Sequence, residues 1–282
     1  MEQPTLTAGL AKLHHYFERW QLAADGAAFH TPSSWLQPVL YRNRPAMLKI
    51  AMTKDECLGA QLMVWWGGDG AARVLEQEED AILLERISGR RSLLEMARGG
   101  QDDEASRIIC HVVARLHAQD RPQRPELPTL SSQFRSLEIT AKTQGGIFAN
   151  AAFIAEKLLT EPQEITVLHG DIHHANILDA GPRGWLAIDP KGLIGERGFD
   201  FANIFCNPNF VVATSPRRLI RQVDIIAETA ALDPCRLLAW IVAWAGLSAA
   251  WHIESEANPD TALAVANIAL NALHRANSNH NN

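Results

Sequence analysis

The spacing of apolar and polar positions divides the chain into a mixed first third and a largely helical remainder. Residues 5–24 alternate apolar and charged positions at roughly helical spacing, and this pattern ends near Asp25-Gly26. Apolar runs between Trp35 and Met52 flank a turn-like segment at residues 42–45. They predict a β-hairpin whose second strand carries Lys49.

The next segment carries the signals of one helix and a second strand pair. Thr53 is followed three residues later by Glu56, which is the spacing of a capping box and predicts a helix start. A glycine-rich run at residues 67–70 predicts its end. Arg73–Glu76 and Ala81–Ile87 then predict two strands around an acidic turn. The first segment therefore has the order strand, strand, helix, strand, strand.

Helical spacing dominates after Ser88-Gly89. Apolar residues at 108, 109, 112, 113 and 116 predict the buried face of one helix. Three later helix starts share a capping side chain followed by proline, namely Ser215-Pro216, Asp233-Pro234 and Asn258-Pro259. The fold class is therefore α+β. We expect a small N-terminal domain at residues 1–88, a larger helical domain at residues 89–282, and a hinge at residues 85–90.

Composition narrows the class of protein. The chain has 282 residues, 47% of them hydrophobic and 21% charged, so a disordered chain is excluded. Its formal net charge of −6 argues against a nucleic-acid partner. The most apolar stretch, Leu237–Trp251, is shorter than a membrane span and predicts a buried helix instead. Four scattered cysteines predict reduced thiols, and no signal peptide is visible, so we expect a cytoplasmic protein without a membrane partner.

Two short runs combine apolar strands with polar residues that are costly to bury. The first, residues 167–178, contains Asp171 and Asn176, and the second, residues 185–190, contains Asp189. Buried or half-buried polar groups are expensive unless they are paired or used in function. These runs are therefore the first place to look for chemistry.

Phosphoryl transfer from a nucleotide uses this set of side chains. A carboxylate accepts the proton of the attacking hydroxyl, which assigns Asp171 as the base. An amide oxygen and a second carboxylate hold Mg²⁺, which assigns Asn176 and Asp189 as ligands, since Mg²⁺ prefers oxygen donors. Lys49 would neutralise the phosphates. The alternative is that Lys49 is a solvated strand lysine, Asp171 a turn residue and Asn176 a structural hydrogen-bonding residue.

A zinc hydrolase is a competing interpretation. Four possible ligands stand within six residues: His169, Asp171, His173 and His174. No distant cluster of His or Asp accompanies them, and this interpretation leaves Asn176, Asp189 and Lys49 without a role. For His173 and His174 we expect partly exposed positions in a loop.

The same runs carry a resemblance to a known family. His169-Gly170-Asp171, Asn176 and Ile188-Asp189-Pro190 resemble the signature of the aminoglycoside phosphotransferase superfamily. The longer string at residues 188–203 resembles the streptomycin 6-kinase branch, often called the aminoglycoside/hydroxyurea resistance kinases. The stretches at residues 68–75 and 83–86 and the order of elements from about residue 30 to 252 are similar as well, so the resemblance covers most of the chain.

The resemblance implies a two-lobed protein-kinase-like fold with ATP in the cleft. By position, Asp171 matches the catalytic Asp, and Asn176 and Asp189 match the Mg²⁺ ligands. Residues 85–87 match the hinge whose backbone binds adenine. Asp200 matches an Asp that supports the catalytic loop. The nucleotide-binding residues implied are Lys49, Glu56, Ser33, Ser34, Glu85 and Ile87.

Three positions depart from the wider pattern. The phosphate-covering loop near Ser33 and Ser34 lacks the glycine-rich pattern of protein kinases. Glu56 either pairs with Lys49 or serves only as the capping-box residue, and Gly59 stands where some relatives place the acid. A proline after Asp189 replaces the Phe-Gly of protein kinases, which favours a small-molecule kinase.

The resemblance implies a cationic aminoglycoside of the streptomycin type as the acceptor. Such a polycation would bind carboxylates, and the candidates by position and charge are Glu196, Glu254, Glu256 and Asp260. Two alternatives stay open: a kinase of another hydroxylated metabolite, and a pseudokinase that binds nucleotide without turnover.

Overall fold

The computed structural model describes the backbone of residues 3–280 and the side chains of residues 9–278. Its strands are β1 Ala23–Ala24, β2 Phe29–His30, β3 Ser34–Tyr41, β4 Arg44–Ala51, β5 Val74–Glu78, β6 Ala81–Glu85, β7 Ile165–Leu168, β8 Ile177–Asp179, β9 Trp185–Ala187 and β10 Leu193–Glu196. Its α-helices are α1 Gln3–Arg19, α2 Lys54–Trp66, α3 Leu93–Arg98, α4 Asp102–His117, α5 Arg135–Gln144, α6 Gly146–Thr160, α7 Phe199–Ala202, α8 Phe210–Ala213, α9 Pro216–Ala230, α10 Pro234–Glu254 and α11 Asp260–His280. Short 3₁₀ helices lie at Leu130–Phe134, Gly181–Arg183 and Asn203–Cys206.

The backbone forms two compact units, each assembled from three stretches of sequence. The sheet unit contains the described residues up to Arg90, together with Gln119–Glu126 and Leu178–Gly192. The helical unit contains Arg91–Ala118, Leu127–Ile177 and the described residues from Leu193 onward. The predicted α+β class, with a small sheet-containing lobe and a larger helical one, is confirmed. A functional division at residues 1–88 and 89–282 stays a prediction.

An antiparallel sheet of order β1-β3-β4-β6-β5, with β2 also paired to β3, forms the centre of the sheet unit. The predicted hairpin is confirmed as β3 and β4, and Lys49 lies opposite Leu36 and Ile82 on the flanking strands. The second predicted pair forms β5 and β6, but β6 ends at Glu85, two residues before the predicted end. Lys49 therefore lies on a central strand, β4, which is flanked by β3 and β6.

The first helix is shorter than its sequence pattern suggested. The prediction of a helix over residues 5–24 is wrong at its C-terminal end, because α1 ends at Arg19. Gln21 takes a left-handed conformation with φ 52°, and the amide of Leu22 donates to the Phe17 carbonyl at 2.9 Å. This is a Schellman end without its usual glycine, and it releases the chain into β1.

Helix α2 begins and ends at the predicted residues, but its first turn is stabilised differently. It ends at Gly67, whose φ of 58° suits the left-handed C-cap position. The predicted capping box is wrong, because the Thr53 side chain makes no capping hydrogen bond. The Glu56 carboxylate instead accepts hydrogen bonds from Lys49 and Ser33.

Helix α10 forms the centre of the helical unit. Trp240 and most of its neighbours along α10 are buried, as the apolar run predicted. A Cβ on Gly246 would lie 2.4 Å from the Ala151 Cβ on α6, so the missing side chain permits close packing of the two helices. Among the described residues, α10 is long and apolar enough to span a membrane, but 72% of its most apolar window is buried inside the protein.

Local signals set the helix starts of this unit. The side chains of Ser215 and Asp233 accept hydrogen bonds from the amides of Arg218 and Arg236, so both predicted N-caps are confirmed. At the third site Asn258 accepts from the amide of Asp260, where α11 begins. Strand β7 pairs with β10, and the loop that carries the candidate residues Asp171 and Asn176 follows directly after β7.

Candidate active site

A buried ion pair joins β4 and α2 in the sheet unit. The Lys49 ammonium donates to Glu56 Oε2, and these side chains are only 13% and 3% exposed. Because α2 begins three residues after β4 ends, its first turn places Glu56 beside the strand that carries Lys49. Of the two roles that the sequence left open for Glu56, the structure shows the pairing with Lys49.

The second oxygen of Glu56 has two further donors. Ser33 Oγ donates to Glu56 Oε1 at 2.9 Å, and Lys191 Nζ donates to the same oxygen at 3.0 Å. Burial by itself would raise the pKa of Glu56, but the charge and hydrogen bond of Lys49, supported by those of Lys191, outweigh it and lower the pKa to about 2. The carboxylate is therefore a fixed negative charge shared by two lysines.

Asp189 is held next to this pair in the same unit. It follows β9, which is anchored because the Ala187 amide donates to the Gly70 carbonyl at 2.9 Å. Asp189 has a φ of 62°, and its Oδ1 accepts from Lys49. A Cβ on Gly59 would lie 2.1 Å from the Pro190 carbonyl oxygen, so glycine allows α2 to approach the segment after Asp189.

The helical unit holds a second polar cluster at the end of β7. Asp171 is 29% exposed, so its carboxylate is accessible to a ligand. Asn176 is buried and donates through Nδ2 to the Asp171 carbonyl at 2.9 Å. Asn203 Nδ2 donates to Asp171 Oδ1, also at 2.9 Å. The structure thus brings Asp171 and Asn176 together as expected and adds Asn203, for which the sequence predicted no role.

Asp200 supports the backbone of this loop. It is buried, and its carboxylate accepts from the amides of His169 and Gly170 at 2.9 and 2.7 Å. His117 Nε2 lies 2.8 Å from Asp200 Oδ2. Burial opposes ionisation of Asp200, but the contacts with His117, His169 and the Gly170 amide lower its pKa. Asp200 has the supporting position that the resemblance implied.

The other predicted nucleotide contacts differ in exposure. Glu85 accepts from the Arg73 amide at 2.7 Å and from Arg183, so its side chain is bound within the sheet unit. Ile87 is half-buried beyond the end of β6. Ser34 is only 1% exposed, and this burial argues against a side-chain contact with a nucleotide. Ser33 is the hydroxyl of this loop that contacts the Lys49–Glu56 pair.

The predicted acceptor carboxylates occupy unlike environments. Glu196 is 4% exposed, and its oxygens accept from Arg236, from Trp240 Nε1 at 2.7 Å and from the Gln163 amide at 2.9 Å. These contacts correct the expectation that Glu196 faces an acceptor. Glu254 and Glu256 are exposed, and Glu254 accepts from Ser136 Oγ at 2.9 Å. Both remain candidates by charge.

The histidines do not support the zinc interpretation. His169 Nδ1 accepts from the Asp171 amide and His173 Nδ1 accepts from the Ala175 amide, both at 3.2 Å. The expectation of a partly exposed loop position is wrong for His174, whose side chain is fully buried and whose pKa is lowered to about 3, mainly by desolvation. Within residues 9–278, whose side chains the structure describes, no group of three or more His, Cys, Asp or Glu has the arrangement of a metal site.

Two residues in these clusters were not identified from the sequence. Lys191 stands two residues after Asp189, and Asn203 stands three residues after Asp200, which is one helical turn. Their spacing from assigned residues was a usable signal, but neither has a distinctive residue type. Both lie within the string at residues 188–203 that carries the family resemblance.

Comparison with known proteins agrees with this arrangement. A model of the family "Aminoglycoside/hydroxyurea antibiotic resistance kinase" matches residues 19–256. The chain belongs to this family. It is accordingly a phosphotransferase with a hydroxyl group as acceptor.

Individual relatives span nearly the whole chain. Streptomycin 3''-kinase from Klebsiella pneumoniae is 47% identical over 263 residues, covering 92% of this chain and 98% of the relative. Streptomycin 6-kinase from Streptomyces griseus is 32% identical over 272 residues, covering 90% and 85%. The solved structure of amicoumacin kinase hAmiN, in complex with AMP-PNP, Ca²⁺ and Ami, has a TM-score of 0.65 at 12% identity, covering 97% and 96%. The last likeness shows the protein-kinase-like fold.

Proposed function

We propose that the protein transfers the γ-phosphoryl group of ATP to a hydroxyl of streptomycin, and that this hydroxyl is the 3''-hydroxyl. One observation carries the choice of acceptor. The identity to the Klebsiella 3''-kinase, 47%, clearly exceeds the 32% identity to the Streptomyces griseus 6-kinase, and both alignments cover most of each chain. The reaction would take place in the cytoplasm, where ATP is present.

Asp171 is proposed as the general base. Its carboxylate follows β7, is 29% exposed, and accepts a hydrogen bond from the neutral Asn203 amide at 2.9 Å, while His173 Nε2 lies 3.9 Å from the same oxygen. A carboxylate so placed can orient the acceptor hydroxyl and receive its proton while phosphoryl transfer proceeds. Because the transition state is loose, positioning of the hydroxyl is the main contribution of this side chain.

The sheet unit supplies the proposed contacts with the phosphates. Lys49 would neutralise them, and Glu56 would fix the Lys49 ammonium on the strand. Ser33 Oγ, now bonded to Glu56, would be the hydroxyl of the covering loop nearest to them. The backbone from Glu85 to Ile87 would bind the adenine.

The residues proposed for Mg²⁺ fit its chemistry. Asn176 uses its Nδ2 to bond the Asp171 carbonyl, which leaves its Oδ1 as a ligand oxygen. Asp189 supplies a carboxylate whose side chain is 38% exposed. Mg²⁺ takes one or two protein oxygens and completes its shell with water and phosphate, so no larger cluster is needed. When bound, it would neutralise charge on the transferring group.

A kinase acting on another hydroxylated compound is the second candidate. It is favoured by one observation, a hydroxyurea phosphotransferase from Kitasatospora aureofaciens that is 28% identical over 276 residues. The pseudokinase alternative is less well supported, because Asp171, Asn176, Asp189 and Lys49 are all present.

The test combines an acceptor panel with product assignment. The purified protein is incubated with Mg-ATP and streptomycin, other aminoglycosides, hydroxyurea or sugar alcohols, and ADP release is measured. We expect turnover with streptomycin and a product whose ¹H–³¹P correlation places the phosphate on the 3''-oxygen. Phosphate on the 6-oxygen would refute the assigned position. Turnover of another acceptor alone would favour the second candidate, and nucleotide binding without turnover would favour the pseudokinase.

A matched pair of variants tests the proposed base. Asp171→Asn should lower kcat about 10³-fold and leave the Kd for ATP nearly unchanged, because the side chain keeps its shape. Asp224→Asn, on an exposed position of α9, should behave like the parent protein. An Asp171→Asn variant with parental kcat would refute this assignment.

A further inference from the structure

Asp200 and Asn203 contact the same loop from one side. Asp200 lies on α7, and Asn203 begins the 3₁₀ helix that follows, so the two are separated by about one helical turn. Asp200 accepts from the amides of His169 and Gly170, which fixes the backbone before Asp171. Asn203 donates to Asp171 Oδ1 at 2.9 Å and so contacts the side chain itself. One short segment thus holds both the backbone and the carboxylate.

The orientation of the Asn203 amide is itself fixed. Asn207 Nδ2 donates to Asn203 Oδ1 at 3.1 Å and to the Asn203 carbonyl at 3.0 Å. Since Oδ1 accepts this bond, Nδ2 is the atom directed at Asp171. Asn203 is also only 6% exposed, which restricts its rotation. The side chains of Asn207, Asn203 and Asp171 therefore form a chain of hydrogen bonds that ends on the proposed base.

We propose that Asn203 is a positioning residue that sets the orientation of the Asp171 carboxylate toward the acceptor hydroxyl. The carboxyl torsion of an aspartate is broad, so a carboxylate without a directed donor samples many orientations. Asn203 holds Oδ1, and the more distant Asn176 Nδ2, 3.4 Å from Oδ2, borders the other oxygen. An amide does this without adding the positive charge that would stabilise the ionised base. This inference rests on the proposed role of Asp171.

Two variants of Asn203 separate positioning from packing. Asn203→Asp keeps the shape of the side chain and can still accept from Asn207, but it cannot donate to Asp171 when ionised, and it adds a like charge. Asn203→Ala removes the donor without adding charge. If Asn203 only packs, the kcat of each folded variant stays near the parent value and the loss appears in its melting temperature. A positioning role predicts a lower kcat in both folded variants with KM values near those of the parent.

We expect Asn203→Ala to lower kcat about 10- to 100-fold, with KM for ATP and for streptomycin within about twofold of the parent values. Asn203→Asp should lower kcat further. Asn267→Ala, which removes an exposed amide on α11, should match the parent protein. Thermal melts establish that each variant is folded. Parental kcat in folded Asn203→Ala or in folded Asn203→Asp would overturn the proposal.

Two additional variants of this protein, Asn207→Ala and Asp171→Asn, complete the test. If either Asn203 variant is unfolded, Asn207→Ala removes the donor that orients the Asn203 amide, and a parental kcat would then count against positioning. Asp171→Asn is measured in parallel. If it is inactive while Asn203→Ala is fully active, only the role of Asn203 fails. If Asp171→Asn is itself active, the proposed base fails, and the role of Asn203 fails with it.

Discussion

The buried carboxylate of Glu56 gives the most quantitative prediction. It is about 4% exposed and lies between Lys49 and Lys191, both of which donate to it. Glu56→Gln keeps the shape of the side chain and removes its charge. Lys49 retains Asp189 as a partner, and Lys191 is 37% exposed, so neither ammonium becomes both buried and unpaired.

The magnitude follows from the lowered pKa of Glu56. It falls from an ordinary value of 4.5 to about 2, and at about 1.4 kcal/mol for each pH unit the difference corresponds to about 3 kcal/mol. The folded pKa lies below the unfolded one, so this contribution is complete above pH 4.5 and is lost as the pH falls through 2. At pH 3 it has decreased to about 1.4 kcal/mol.

Urea denaturation at several pH values between 7 and 3 measures this contribution. We expect the free energy of unfolding of Glu56→Gln to lie about 3 kcal/mol below that of the parent at pH 7, with the gap narrowing below pH 4.5. Glu95→Gln, at a carboxylate that is 70% exposed, serves as the control and should show no such gap. A gap that stays constant down to pH 3, or that is absent at pH 7, would refute the reasoning.

Two further substitutions test contacts described above. Helix propensity alone would raise the free energy of unfolding of Gly59→Ala by about 1 kcal/mol. The clash with the Pro190 carbonyl should outweigh this gain and lower the free energy of unfolding by about 1–3 kcal/mol. A Tm above that of the parent protein would contradict this prediction. Glu196→Gln weakens a buried contact with Arg236 and Trp240 and should lower the free energy of unfolding, measured in urea, by about 3–5 kcal/mol, while the folded variant keeps its KM for the proposed acceptor, streptomycin. A raised KM with unchanged stability would restore Glu196 as an acceptor ligand.

The fold could be predicted where neighbouring residues determine the structure. The hairpin of β3 and β4 and the N-caps at Ser215 and Asp233 depend on residues within a few positions, and these predictions are confirmed. The end of α1 was missed because a glutamine, Gln21, takes the left-handed position that usually signals itself by glycine.

The site was only partly predictable, because several roles depend on distant contacts. The spacing of Thr53 and Glu56 fits a capping box and a lysine partner equally well, and only the position of β4 distinguishes them. Glu196 was predicted as an acceptor carboxylate from its position and charge, but its partner Arg236 comes from 40 residues further along the chain. Motif residues such as Asp171 can be located from sequence, whereas the partners that hold them require the tertiary structure.

The composition of α10 has a consequence for how this protein must be handled. Helix α10 is as apolar as a membrane span, so it stays soluble only while its side chains are buried. In the folded protein, 72% of its most apolar window is buried. When the chain unfolds, the apolar side chains of α10 are exposed to water, and aggregation then competes with refolding. Heating should therefore inactivate the enzyme irreversibly, with an apparent Tm that depends on scan rate. During synthesis in the cell, we expect the chain to be prone to aggregation until α6 and α11, which pack against α10, cover this helix.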